Sequence, residues 1–425
     1  MKLGYVRQLF DVVGSNTVYD WPLSSKKAIA DQVYLMRTIQ LGLGWRLKSL
    51  TVVLAAASMA SGCGFSAGRA GSASQAAPNT YVYLLGENAQ TNYSVAQFQL
   101  AQDGSLSALS PATVSVDAYT NSMAVDPAGP FLFTDSGMNP GIASTIRQFV
   151  VGDGGLLAPN ASPTITAGEG SEHIAFAPNG HFILSANSGA GTLTSYSLDD
   201  FGALSPINTV PAGVNPDLTV IDATGRFAIV AAVPSDPMTT PTWIYEYSIS
   251  PTGTVAEMFS FQMSQPPIAM TVAPNGLLYY ISQTLAALGG GPGTVTAFSI
   301  DPTTGALSIK STTPTTDGSP FWMTFDLSGT HAYVYNNDVP SLSQYSVDAS
   351  TGALIPNGPD WALASGPPAA VVEPSGNYLL AIDRSTGQAD IWVFAIQADG
   401  TLAPPRIAAV PDAVAYPSQL GVAQR

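Results

Sequence analysis

The chain has little charge, few bases and almost no cysteine. Of its 425 residues only 10% are charged, with 14 Lys or Arg against 29 Asp or Glu, three His and one Cys. A single Cys63 excludes an internal disulfide and any site built from several thiolates. The scarce bases are also concentrated away from the bulk of the chain. Seven of them (Lys2, Arg7, Lys26, Lys27, Arg37, Arg46 and Lys48) precede Cys63. From Cys63 onward seven bases face 26 acids, a net charge of −19. A field of that sign repels phosphate backbones, which excludes nucleic acid as a partner and disfavours phosphorylated substrates. Disorder is excluded as well, because 46% of the residues are apolar and can supply a core. Forty Gly and 33 Pro exclude long helices and point to many short strands joined by tight turns.

Three of these N-terminal bases fall in a segment expected to be an export signal. Met36 is followed by Arg37, Arg46 and Lys48, then by the apolar stretch Leu50-Thr51-Val52-Val53-Leu54-Ala55-Ala56-Ala57. It ends in Ala60-Ser61-Gly62-Cys63, which resembles the bacterial lipoprotein motif whose Cys becomes the lipidated first residue. The uncharged run Ser49–Phe65 also admits two other readings, a plain signal peptide and a short membrane anchor. Residues 36–62 are thus expected to be a lipoprotein-type signal peptide and residues 63–79 a flexible Gly/Ala/Ser tether. Residues 1–35 carry no fold signal and read as unassigned or as an over-extended start before the initiator Met36. The expected location is the bacterial cell envelope, with membrane contact through a lipid on Cys63 only.

Two kinds of turn alternate over residues 80–425. The first follows an apolar strand: Asp126-Pro127-Ala128-Gly129, Ala177-Pro178-Asn179-Gly180, Asp222-Ala223-Thr224-Gly225, Ala273-Pro274-Asn275-Gly276, Asp326-Leu327-Ser328-Gly329 and Glu373-Pro374-Ser375-Gly376. Their glycines are 51, 45, 51, 53 and 47 residues apart. The second reads Gly-x-Leu or close to it, at Gly104, Gly154, Gly202, Gly253, Gly305, Gly352 and Gly400. Strands of period two fill the gaps, as in Thr294-Val295-Thr296-Ala297-Phe298-Ser299-Ile300. Four short strands in a repeat of about fifty residues are the mark of an all-β propeller. The second turn occurs seven times and the first six. The missing piece lies at the end, where Gln419-Leu420-Gly421-Val422-Ala423 resembles the inner strand Met123-Ala124-Val125. A seven-bladed β-propeller of four-stranded antiparallel blades, one closed by both termini, is therefore expected, and it leaves no free sheet edge.

The segments Ile300-Asp301-Pro302-Thr303-Thr304-Gly305-Ala306-Leu307, Val347-Asp348-Ala349-Ser350-Thr351-Gly352-Ala353-Leu354 and Phe176-Ala177-Pro178-Asn179-Gly180 resemble the seven-bladed lactonase family, which includes 6-phosphogluconolactonases and muconate-lactonizing enzymes. The resemblance spans residues 81–425 and implies the scaffold, together with a catalytic His before an inner strand and Arg and Glu partners in the following blades. His173 in Glu169-Gly170-Ser171-Glu172-His173-Ile174 matches the His. Asn215-Pro216-Asp217 stands where Arg is expected, the loop Val233–Thr242 has no Glu, and Gln265-Pro266-Pro267 and Ser282-Gln283 offer no base. Arg384 alone is expected on the pocket face.

Loops on one face of such a propeller converge on its channel. They carry Glu87, Asn88, Asp117, Asn121, Asp135, Glu169, Glu172, His173, Asn187, Asp217, Gln283, Asp317, Asn336, Asp338, Asp383 and Arg384. One reading makes His173 a general base for water attack on a lactone, with Glu172 or Asp217 orienting it and Arg384 steadying the oxyanion. The other makes His173 a loop residue satisfied by its neighbours. Glu87, Asp117, Asn121, Asp135, Glu169, Asn187, Gln283 and Asp383 are candidate binding residues. His181 and His331 read as surface residues. No ordered Asp-x-Asp-x-Asp spacing marks a calcium loop. Gly289-Gly290-Gly291-Pro292-Gly293 precedes no helix that would hold a phosphate, so neither a metal nor a cofactor is expected. Three functions compete: a monomeric non-catalytic module that binds a protein, glycan or small molecule at this face, a lactone hydrolase, and a structural surface protein.

Overall fold

The computed structural model describes residues 78–425 except 128, 138–142, 235–239, 264, 283–292, 316–319, 338, 364–368 and 386–387. Cys63, the segments expected to be an export signal and a tether, Gln283, Asp317 and Asp338 lie outside the described residues. Seven antiparallel sheets follow one another along the chain. Blade 1 combines Thr80–Glu87, Tyr93–Leu100 and Leu106–Ser115 with an inner strand, Tyr416–Gln424, from the other end. Blades 2 to 7 begin with the inner strands Thr120–Val125, Ser171–Phe176, Pro216–Ile221, Pro267–Val272, Pro320–Phe325 and Ala370–Val372. Each inner strand touches the inner strand of the next blade, and the last touches that of blade 1, so the ring is closed. The closing ladder pairs Thr80–Glu87 with Tyr416–Gln424, and Asn79 and Arg425 exchange backbone hydrogen bonds of 2.7 and 2.8 Å just beyond it.

The composition of each strand follows from its place in the blade. Second strands are covered on both faces by neighbouring blades and are mostly apolar, with polar residues gathered at their C-terminal ends. Phe227–Ala232 is the clearest case, with six consecutive buried residues. Outer strands face solvent on one side and alternate, as Leu204–Pro211 does. Seven apolar clusters make up the core, and each is shared by two adjacent blades. Among the described residues the only helix is a 3-10 turn, Asp412–Val414. No helix there is long and apolar enough to cross a membrane.

Polar side chains latch one blade to the next. The turn before the outer strand of blade 2 is held by three groups of blade 1. The Tyr81 hydroxyl donates to Asp153 O (3.0 Å) and that of Tyr83 to Gly155 O (2.7 Å), while Leu157 N–H donates to Gln97 Oε1 (2.6 Å). Gln148 and Gln344 repeat the Gln97 contact with Leu204 N–H and Leu402 N–H at 2.8 and 2.6 Å. The turn glycine in blade 2 is Gly155, with φ 76°, and not Gly154 as the Gly-x-Leu spacing suggests. Leu157 rather than Leu156 is the buried leucine, because Gly155-Leu156-Leu157 is also a Gly-x-Leu and the turn closes from Gly152 to Leu156 just as it closes from Ala101 to Ser105 in blade 1.

The acidity also has a structural origin. Asp222 Oδ1 accepts from the N–H groups of Arg226 and Phe227, both at 2.7 Å, and Glu373 and Asp326 do the same in their turns. Asp103, Asp199, Asp301, Asp348 and Asp399 cap the turns before the outer strands. Hydrogen bonds from those turns hold Asp103, Asp301, Asp348 and Asp399 below the usual carboxylate range. His331 is not a free surface residue. Its Nδ1 lies 3.0 Å from Asp326 Oδ2, in the same turn.

Candidate functional site

Strand alternation puts the second-to-third turns and the outer-to-inner crossings on one face, opposite most of the capped turns. At that face the inner strands do not pair regularly. The register slips by one residue in blades 1 to 6, so Ser418, Asn121, Glu172, Asp217, Ile268 and Phe321 fall outside the ladder. A bulge of this kind bends the strand and re-aims one side chain, and bulges gather at rims and sites. All six are partly accessible, whereas Thr120, Ser122 and Ser171, paired residues beside the bulges in blades 2 and 3, are buried. Pro417, Pro216, Pro267 and Pro320 precede four of the bulges, where no ladder donor is required. The rim is polar on blades 1 to 4 and apolar on blades 5 and 6.

Blades 2 to 4 bring together Asp135, Ser171, Glu172, His173, Ser185, Asn187, Ser188 and Asp217. Glu172 accepts from the Ser188 hydroxyl at 2.6 Å. Its charge acts on acids to both sides. Desolvation, and then Glu172, push Asp135 up to about 7 and Asp217 to about 6, with the Ser171 hydrogen bond working against the rise at Asp135. Among the described residues no base forms an ion pair with any of the three carboxylates. His173 is half-buried and its Nδ1 has no hydrogen-bond partner. Desolvation alone pulls its pKa down to about 4, so the imidazole is neutral at pH 7. Asn121 Oδ1 is likewise buried without a partner.

Arg384 lies elsewhere, on the second strand of blade 7. Its guanidinium donates to Pro417 O and sits 5.8 Å from the Tyr416 ring centroid, both on blade 1. Glu87 lies close enough to stabilise the Arg384 charge, and burial, then Glu87, raises the Tyr93 phenol to about 12. Arg384 is thereby joined to Glu87 and to the closing strand of blade 1. Asp117 is engaged in a bidentate ion pair with Arg147, with Nε–Oδ2 at 3.2 Å. Arg147 is a second Arg reaching this face, which sequence reasoning did not place because it sits inside a third strand. Asp383 is buried, and desolvation, then the Asp383 charge, raises the pKa of Asp390. Glu169 ends the outer strand of blade 2, where its carbonyl accepts from Ala190 N–H at 3.1 Å. Ser171 and Ser185, in strands, and Ser188, in the turn after one, escaped notice because serine there carries no signal of its own. Among the described residues no group of three His, Cys, Asp or Glu could hold a metal ion.

No protein-family model matches the chain, and no curated protein matches it at a significant level. Solved structures do. A candidate 6-phosphogluconolactonase of Bacteroides uniformis superposes with TM-score 0.64 at 19% identity over 81% of this chain and 100% of that one. A second, from Bacteroides fragilis, gives 0.62 at 16% over 81% and 98%. The periplasmic gluconolactonase of Pseudomonas aeruginosa gives 0.62 at 16% over 81% and 99%. At these identities the likeness establishes the fold: a seven-bladed, 6-phosphogluconolactonase-like propeller.

Proposed function

We propose that this propeller is a non-catalytic binding module, exported and tethered to an envelope membrane through Cys63. The observation that carries the reading is the isolation of His173. It donates to no carboxylate, its Nδ1 is unsatisfied, and the cation expected opposite it is committed to Pro417 and Tyr416. A general base of pKa about 4 with no orienting acid is a weak catalyst at neutral pH. The rim offers unpaired carboxylates on blades 3 and 4 and apolar Ile268 and Phe321 on blades 5 and 6, which suits an uncharged or cationic ligand better than a phosphorylated sugar lactone. The periplasmic location of one fold neighbour agrees with export.

The test is hydrolysis of glucono-lactones by the full chain. No acceleration above buffer is expected. Turnover that disappears in His173→Ala would establish the lactone-hydrolase reading instead. For the tether, mass spectrometry of protein extracted from membranes is expected to show a lipid on Cys63, and an unmodified thiol would refute it.

A further inference from the structure

Between blades 2 and 3 a buried polar chain leads from an acid to an amide. Asp135 and Ser171 share a hydrogen bond through Oδ2, Ser171 Oγ lies 2.5 Å from Ser185 Oγ, and Ser185 Oγ lies 3.1 Å from Asn187 Oδ1. Asn187 Nδ2 donates to Thr192 Oγ1 (3.1 Å) and Thr194 Oγ1 (3.0 Å), and Thr194 meets Thr209 at 3.0 Å. Asp135, Ser171, Ser185 and Asn187 are all fully buried. Close approach of glycines makes the space. A Cβ at Gly168 would collide with the Asn187 amide, and one at Gly137 with Ser144 Oγ and Ser171.

Each serine hydroxyl has one hydrogen to donate. The Asn187 amide, with both Nδ2 hydrogens spent on threonines, turns its oxygen to Ser185, so the Ser185 hydrogen goes there. The contact between the two serines must then use the Ser171 hydrogen. None is left for the Asp135–Ser171 contact unless the acid provides it, so this arrangement is complete only with a neutral carboxylic acid. An ionised Asp135 takes the Ser171 hydrogen, Ser171 takes that of Ser185, and Asn187 Oδ1 is orphaned. One further step restores a full set. If the amide turns over in place, Nδ2 donates to Ser185 and Oδ1 accepts from Thr192 and Thr194. Amide oxygen and nitrogen are nearly equal in size, so the exchange needs no backbone movement.

We propose that Asp135, Ser171, Ser185 and Asn187 form a pH-sensitive switch with two complete hydrogen-bond arrangements, in which ionisation of Asp135 reverses each hydroxyl, turns the Asn187 amide over and adds a negative charge beside Glu172. The titratable groups acting on Asp135 are Glu172 on the inner strand of blade 3 and Tyr196 on its third strand, and neither is a base. Asp135 Oδ1 has no hydrogen-bond partner, so the anion is poorly solvated. Burial holds the acid near neutrality at about 7, inside the range where a small change of pH moves it. The switch is independent of whether the rim binds or hydrolyses its ligand.

The side-chain amide resonances of Asn187, assigned by their loss in Asn187→Asp, report the switch in the full chain between pH 5 and 9. They are expected to move between two positions with a midpoint near 7. The movement should vanish in Asp135→Asn, whose Nδ2 substitutes for the acid O–H, and in Ser185→Ala, which cuts the chain while the Asp135 carboxyl carbon still titrates. Asn187 resonances that ignore pH, or a midpoint that persists in Asp135→Asn or Ser185→Ala, would overturn the proposal. So would a carboxyl carbon shift showing Asp135 already ionised at pH 5.

Discussion

Replacing Gln97 by Leu isolates the value of one blade-to-blade latch. Gln97 is fully buried, and its Oε1 is the acceptor for the buried N–H of Leu157, the residue that starts the outer strand of blade 2. Leucine is close to glutamine in volume, so the packing between blades 1 and 2 is largely kept and the acceptor alone is lost. The amide of Gln97 also donates to Pro111 O at 3.1 Å, but Pro111 is exposed and its carbonyl can turn to water. The cost therefore falls on Leu157, whose orphaned N–H loses roughly 1–3 kcal/mol. That converts to opening of this turn about 5- to 150-fold more often. Hydrogen exchange followed by mass spectrometry on peptides spanning residues 152–160 reads the local change, and urea denaturation reads the global one. Tyr83→Phe is the control, since it removes the neighbouring hydrogen bond to Gly155 O without touching Leu157. Exchange at Leu157 unchanged within a factor of two in Gln97→Leu would refute the latch, because it would mean that water replaces the glutamine without loss.

The acids of the rim give a pH dependence of definite sign. The folded pKa of Asp217 is raised from 3.8 to about 6, so its favourable contribution is complete below pH 4 and is lost as pH rises through 6. Asp217→Asn should therefore stabilise the protein by up to about 3 kcal/mol at pH 8 and hardly at all at pH 4, by urea denaturation. Equal effects at both pH values would count against desolvation of Asp217. His173 works in the opposite sense. Its folded pKa is lowered from 6.5 to about 4, so the neutral ring is disturbed as pH falls through that window, and His173→Gln should flatten the loss of stability on the acid side. Deleting residues 419–425 removes most of the ladder that closes blade 1, and it is expected to cause self-association visible by size-exclusion chromatography. A monomer with unchanged melting would show that closure contributes little. Gly168→Ala should destabilise the junction of blades 2 and 3 by forcing the Asn187 amide aside, with faster exchange in residues 185–194 as the readout.

Turn chemistry made the fold legible. A turn glycine and its capping Asp or Asn depend on neighbours within five residues, so they repeat visibly in the sequence. The closing strand could be read because the repeat was short by one piece. The slip at Gly154 and Gly155 shows the limit, since two adjacent glycines leave the register open until Tyr81 and Tyr83 choose between them. The site was less legible because its residues act across blades. Asp117 is occupied by Arg147 thirty residues on, and Arg384 by Pro417 and Tyr416 across the closing seam. Asp135 and Ser171 meet only because two blades do. The bulged rim left one trace, a proline at the start of the inner strand, just ahead of the bulge, in four blades.

The mixed composition of blade 1 bears on how the protein is made. Its first three strands leave the ribosome early, but the strand that covers Thr80–Glu87 is synthesised more than 300 residues later. At roughly 5–20 residues per second the edge stays uncovered for about 15–60 seconds. During that interval a row of unpaired backbone groups on an apolar strand is open to any extended chain, including another nascent copy. A holding chaperone, or passage through an export channel before folding, would protect it. The strand Tyr416–Gln424 thus decides when a folded molecule first exists, and a substitution that slows its pairing with Thr80–Glu87 would act on that moment rather than on the finished ring.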